Sequence, residues 1–290
     1  MKISEILNSK RVTLSFEVFP LKTSEGYQKV RGVARRIAAL RPDFMSVTYG
    51  AGGGTSRYTL DIADEISTSF GVPSLAHLTF VSSTRADVAD MIRQYKERGI
   101  ENILALRGDI PAEGRLADDY YYAVELIHEL RQADPSFCIG GACYPEGHIE
   151  CAHKADDIRY LKEKVDAGLD FLTTQMFFDN NILYNFLYRV REAGIRVPVI
   201  AGIMPITNVK QVKRSVEMSG TVLPENFRSI LDAFGDRPDV MRQAGMAYAV
   251  GQIIDLIAND VTHIHVYSMN DVEIATGILN ALSAVLSGQE

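Results

Sequence analysis

The sequence predicts an α/β protein built as a (β/α)8 barrel, and three observations predict it. Eight short runs of apolar and β-branched residues follow one another. Segments of helical period separate them, and polar residues gather at the C-terminal ends of the runs.

The runs are VTLSFEVF (12–19), FMSVTYG (44–50), SLAHLTFV (74–81), NILALRG (102–108), FCIGGACY (137–144), FLTTQMFF (171–178), VPVIAGIM (197–204) and THIHVYSM (262–269). They show little strict alternation, as parallel strands covered on both faces should. Between them, apolar residues recur at helical spacing. In the first segment Val30, Val33, Ile37 and Leu40 line one face before Arg41-Pro42 ends it. Others stop at a glycine, as in KERGI, VDAGL and REAGI. The first seven strands start roughly 30 residues apart, the length of a βα unit. The longer gap before the eighth predicts extra helix there, including DVMRQAGMAYAVGQIIDLIAND. Residues 1–290 are therefore expected to form one catalytic barrel domain. A doubly wound dinucleotide fold is the runner-up, suggested by GAGGGTS at 50–56. Its glycines do not fit G-x-G-x-x-G, and no acidic residue ends the third strand.

Bulk properties narrow the function. The net charge of −7 argues against a nucleic-acid surface, and no apolar run reaches the length of a membrane span. MKISEILNSKR lacks the apolar stretch of a signal peptide. Cys138, Cys143 and Cys151 have neither CxxC spacing nor even number, so a reduced, cytoplasmic protein is expected. No set of His, Asp and Glu has convincing metal spacing, and no metal is expected.

In a barrel enzyme the catalytic groups belong at the C-terminal strand ends. Reading those ends gives Glu17, Thr48, His77, Arg107 with Asp109, Tyr144 with His148, Gln175, and Tyr267 with Asn270. Glu17 sits between Phe16 and Val18. There it either pairs with a cation or acts as a proton donor. His77 could equally be a satisfied core residue. Arg107 and Asp109 could form a rim salt bridge, although Gly108 between them suggests close approach of the backbone to a ligand. Gln175 could bind a polar heterocycle or satisfy a neighbouring backbone group. Asp157, Tyr160 and Lys164 form a polar helical stripe, usually a solvated face. Together these groups suit a large, polar, ring-containing ligand.

The ordered motifs SFEVFP, SVTYGAGG, AHLT, ALRGDIP, YPEGH, KVDAG, TQMFFD, GIMPITN and HVYSMN resemble the methylenetetrahydrofolate reductases, over roughly residues 12 to 285. The resemblance implies a cytoplasmic FAD-dependent barrel enzyme of one-carbon metabolism, serving methionine supply. Such an enzyme reduces 5,10-methylenetetrahydrofolate to 5-methyltetrahydrofolate with NAD(P)H, as a homo-oligomer. By the same resemblance Glu17 would be the general acid. Asp109 would lie near flavin and folate, and Gln175 and Tyr267 would contact folate. FAD would be held by Thr48, His77, Arg107, Gly108, Asp109, Tyr122, Ala123, Tyr144, His148, Asp157 and Lys164, with Tyr121 an alternative to Tyr122. Two positions depart from the family pattern. Asp271 stands where an arginine meets the folate tail, and Ser215 where an aromatic stacks on nucleotide or folate. The departures raise one alternative, electrons delivered through a partner subunit; a flavin-free pterin-binding barrel is a separate reading that would leave the FAD-type motifs as coincidence.

Overall fold

The computed structural model describes residues 1–49, 56–81, 83–110, 117, 119–151 and 153–287, so most of the glycine-rich GAGGGTS segment lies outside the described residues. All eight expected strands form. They are β1 (Thr13–Val18), β2 (Phe44–Val47), β3 (Ser74–Thr79), β4 (Asn102–Leu106), β5 (Cys138–Cys143), β6 (Phe171–Thr174), β7 (Val199–Ile203) and β8 (His263–Val266). Each pairs in parallel with the next, and β8 pairs with β1, so the sheet closes into a barrel in sequence order.

The surrounding helices are α2 (Ser24–Ala38), α3 (Ser56–Phe70), α4 (Arg85–Glu97), α5 (Ala123–Ala133), α6 (Lys154–Asp166), α7 (Asn180–Glu192) and α11 (Val272–Ser287). Between β7 and β8 lie α8 (Val209–Ser219), α9 (Glu225–Phe234) and α10 (Pro238–Ala258), the extra helix that the long gap predicts. Gly99, Gly168 and Gly194 follow helix ends with φ of +66°, +119° and +79°, left-handed backbone in which glycine avoids the Cβ penalty.

Strand residues alternate between two environments. Leu14, Phe16, Val18, Met45 and Val47 pack outward against the helices. The intervening residues face the interior, whose floor is Phe44, Leu75, Leu104, Cys138, Phe171 and Ile200. One element stoppers that floor and was not expected from the sequence: the short helix α1 (Ile3–Ser9), which inserts Ile3 and Leu7 among these side chains. The backbone N–H of Ile3 donates to Asn102 Oδ1 at 2.8 Å and fixes the helix against β4. The apolar spacing Ile3, Ile6, Leu7 is its only sequence signature.

The extra helices pack closely on the C-terminal side of β7. At Gly245 of α10 the helix backbone approaches the chain after β7 so closely that an added Cβ would lie 1.6 Å from the carbonyl oxygen of Ile206.

Candidate active site

At the C-terminal mouth, Glu17 is 17% exposed. Its Oε2 lies 3.8 Å from His77 Nε2 on β3 and 3.9 Å from His265 Nε2 on β8. Ser46 on β2 faces the same oxygen at 3.5 Å. The pairing register explains the cluster, because Glu17 stands opposite Ser46, and Ser15 opposite His265.

The two imidazoles differ. His265 is hydrogen-bonded at both nitrogens, Nδ1 to Ser15 Oγ at 2.7 Å and Nε2 to Ser46 Oγ at 3.1 Å. His77 is buried, and its Nε2 has no hydrogen-bond partner among the described residues. Burial pushes the His77 pKa down to about 4, so the ring is neutral at ordinary pH. This makes the fold sensitive to acid. The unfolded chain takes up the His77 proton below pH 6.5, whereas the folded ring resists it until about 4. Stability is therefore complete above pH 6.5 and lost as the pH falls through that window, by roughly 3 kcal/mol for this group. Denaturant unfolding at pH 7 and pH 4.5 should show a markedly smaller loss in His77→Asn than in the unsubstituted protein.

Two cations stand at the ends of β4 and β5: Arg107 follows β4, and Lys164 of α6 reaches Ala142 of β5. Arg107 makes a bidentate pair with Glu150 at 2.6 and 2.8 Å, so its ion-pair partner is Glu150 and not the neighbouring Asp109, which is exposed. Gly108 has a reason independent of any ligand: its φ is +87°, and an added Cβ would meet Thr79 Cβ at 3.0 Å. Lys164 is half-buried, not a solvated stripe, and its Nζ donates to the carbonyl of Ala142 at 2.7 Å. Burial lowers its pKa and raises that of Asp157, each opposed by the charge of the other. Tyr144 packs edge-on against His148 at 4.7 Å, and burial raises its pKa to about 12. Burial first, then Arg107, lowers that of His148. Thr48 anchors the end of β2, its N–H donating to the carbonyl of Val18 and its carbonyl accepting from Thr59 Oγ1.

Other expected positions stand apart or serve the fold. Tyr122 is 69% and Tyr121 53% exposed, while Ala123 begins α5 beside the outer core. Gln175 Oε1 accepts from the backbone N–H of Met176 at 2.9 Å. Tyr267 donates to the carbonyl of Thr174 at 2.6 Å, in space that Gly202 leaves open. Asn270 clasps both backbone groups of Phe19 at 2.9 Å. Asp271 caps α11 through Oδ1 and pairs with Arg242 of α10 through Oδ2 at 2.8 Å. Ser215 is buried, its hydroxyl 3.5 Å from the sulfur of Met204. Ser15, Ser46 and His265 are the mouth residues that sequence reasoning passed over. Among the described residues there is no cluster of three or more His, Cys, Asp or Glu able to hold a metal, and no helix long and apolar enough to cross a membrane.

A closed parallel barrel with a carboxyl group and two imidazoles at its C-terminal mouth has the layout of a barrel enzyme, whose chemistry lies at the strand ends. Comparison places it further: the chain belongs to the methylenetetrahydrofolate reductase family, whose family model matches residues 2–283. It is 34% identical over 272 residues to the 5,10-methylenetetrahydrofolate reductase of Escherichia coli (strain K12), covering 94% of this chain and 91% of that one. It is 33% identical over 299 residues to methylenetetrahydrofolate reductase (NADH) 1 of Zea mays, covering 98% of this chain but 50% of the relative. The chain thus spans about half the length of the plant and fission-yeast relatives it matches. A solved structure from Clostridium thermocellum, of a protein described as binding two copies of 5-methyl-5,6,7,8-tetrahydrofolic acid, shares the fold with a TM-score of 0.66 at 14% identity. That alignment covers 98% of this chain and 99% of that one.

Proposed function

We infer that this chain reduces 5,10-methylenetetrahydrofolate to 5-methyltetrahydrofolate, using a bound FAD and a reduced nicotinamide nucleotide. The observation that carries the reading is Glu17, a carboxyl group sunk in the mouth where a ring ligand would cover it. The family and its bacterial relatives supply the substrate class.

The residues present fit a flavin nucleotide. The unpartnered Nε2 of His77 offers a buried polar atom to a ring edge. Arg107 and Lys164 supply positive charge on the rim where a diphosphate would need it. In this reading Thr48, Gly108, Asp109, Tyr122, Ala123, Tyr144, His148 and Asp157 complete the FAD contacts. FAD, when bound, supplies hydride transfer between the nucleotide and the folate.

The chain's own residues do the rest. Glu17 donates a proton to the folate nitrogen that leaves the methylene bridge as the iminium forms. Asp109, on the exposed rim, adjusts the local charge. Gln175 and Tyr267 present amide and phenol groups to the pterin. The apolar floor keeps water from the far side of the cavity.

An anaerobic visible spectrum before and after adding NADH tests this reading. Bound flavin that bleaches, and is reoxidised by methylenetetrahydrofolate, is the expected result. Flavin that stays oxidised would point to another donor or a partner subunit. A protein that cannot be reconstituted with FAD would overturn it. Neutralising Lys164 as Lys164→Met should weaken FAD binding about tenfold or more in a fluorescence titration.

A further inference from the structure

We propose that Glu17 does not hold its proton alone: His265 shares it through the hydroxyl of Ser46, so that acid and imidazole work as one coupled pair.

Counting donors along the chain of contacts leads there. Ser15 Oγ donates its single hydrogen to the carbonyl of Ile264 at 3.1 Å, so toward His265 Nδ1, at 2.7 Å, it can only accept. In that arrangement Nδ1 carries the hydrogen of the ring, and Nε2 is the nitrogen that faces the rest of the line. Nε2 faces Ser46 Oγ at 3.1 Å, and Ser46 Oγ faces Glu17 Oε2 at 3.5 Å. Two arrangements satisfy this line with the same number of protons. In one, Glu17 is protonated and points its O–H at Ser46, whose hydroxyl donates to Nε2. In the other, Nε2–H donates to Ser46, whose hydroxyl donates to the Glu17 carboxylate. Passing between them moves one hydrogen from Nε2 to Ser46 Oγ and one from Ser46 Oγ to Glu17. Only N–H and O–H bonds change.

His77 cannot take this part. It lies equally near Glu17, but no hydroxyl bridges the 3.8 Å, and burial keeps the ring neutral. Among the described residues the titratable groups facing His265 are Glu17 from β1, His77 from β3 and Tyr267 just beyond its own strand. Burial holds Tyr267 protonated, and Phe44 of β2 stacks on the ring without titrating. The only nearby group able to exchange a proton with His265 is thus Glu17. His265 is a positioning residue for the proton, acting through Glu17.

This inference rests on the reading of Glu17 as the acid, and the experiment separates the two. The pH dependence of flavin reoxidation by folate is measured in single turnovers for the unsubstituted protein, His265→Asn and Glu17→Gln, with flavin reduction by NADH followed separately. In parallel, ¹H–¹⁵N spectra of the histidine rings are recorded from pH 5 to 9 in the unsubstituted protein and in Glu17→Gln. A shared proton leaves the pair at higher pH than it would leave the carboxyl alone. His265→Asn should therefore move the midpoint of folate reoxidation down by a pH unit or more and leave NADH reduction within about twofold. The His265 Nε2 signal should titrate at lower pH in Glu17→Gln. Two results would overturn the pairing: an unmoved midpoint in His265→Asn, or a His265 ring whose titration ignores residue 17. If His265→Asn fails to fold, the ring titrations decide alone. Normal folate turnover by Glu17→Gln would instead remove the acid assignment, while the spectra still report whether the proton is shared.

Discussion

Substituting Glu17 with glutamine should slow folate reoxidation of the flavin by roughly 10²–10⁴-fold, the range for loss of a general acid. That corresponds to about 3–5 kcal/mol of barrier. The change is nearly isosteric and keeps an oxygen facing Ser46, so the cavity and the neighbouring strands should persist. Flavin binding and its reduction by NADH should be unaltered, because Arg107, just after β4, and Lys164, on α6, lie on other elements. The size of the effect follows from the lack of a substitute acid, since His265 acts only through Glu17. His77 is held neutral, Tyr267 is held protonated and committed to the Thr174 carbonyl, and Asp109 is exposed on the rim. Stopped-flow absorbance of the two half-reactions checks this. Near-normal reoxidation in the variant would mean that the proton comes from elsewhere.

Gly245→Ala should destabilise the fold by about 3 kcal/mol, at the upper end of what overpacking usually costs. Alanine normally stabilises a helix interior relative to glycine, by up to about 1 kcal/mol. Here that gain is outweighed. The new methyl would lie 1.6 Å from a backbone oxygen, so either α10 or the segment after β7 must shift. The same helix supplies its own control. At Gly251 an added Cβ meets nothing within 4 Å, so Gly251→Ala should raise stability by a few tenths to about 1 kcal/mol. Thermal unfolding of the two variants should therefore shift in opposite directions. Equal shifts would show that α10 is not wedged at Ile206.

The barrel was legible because closed parallel sheets demand apolar runs and βα spacing, and both survive in the linear sequence. Glu17 and His77 were legible as polar residues inside such runs. Other features required three dimensions. Glu150 lies 43 residues from Arg107, and nothing local marks it as the partner. Likewise, no local pattern links Asp271 to Arg242. Ser15, Ser46 and His265 went unnoticed because small polar residues in strands are ordinary until the register is known. That register turns the serine two before Glu17, and the histidine two before Tyr267, to the interior side that Glu17 and Tyr267 share. Helix α1 was missed because its segment was read only for export signals, and seven residues give periodicity little room.

That stopper has a consequence for traffic. With Ile3 and Leu7 wedged into the floor, the described residues close the barrel at its N-terminal end. In the proposed reaction a nucleotide, a folate and the product of either would all enter and leave by the C-terminal mouth. Whatever lodges at the rim obstructs arrivals and departures alike. A planar molecule too bulky to descend should therefore inhibit competitively against both reactants, whichever of them it resembles.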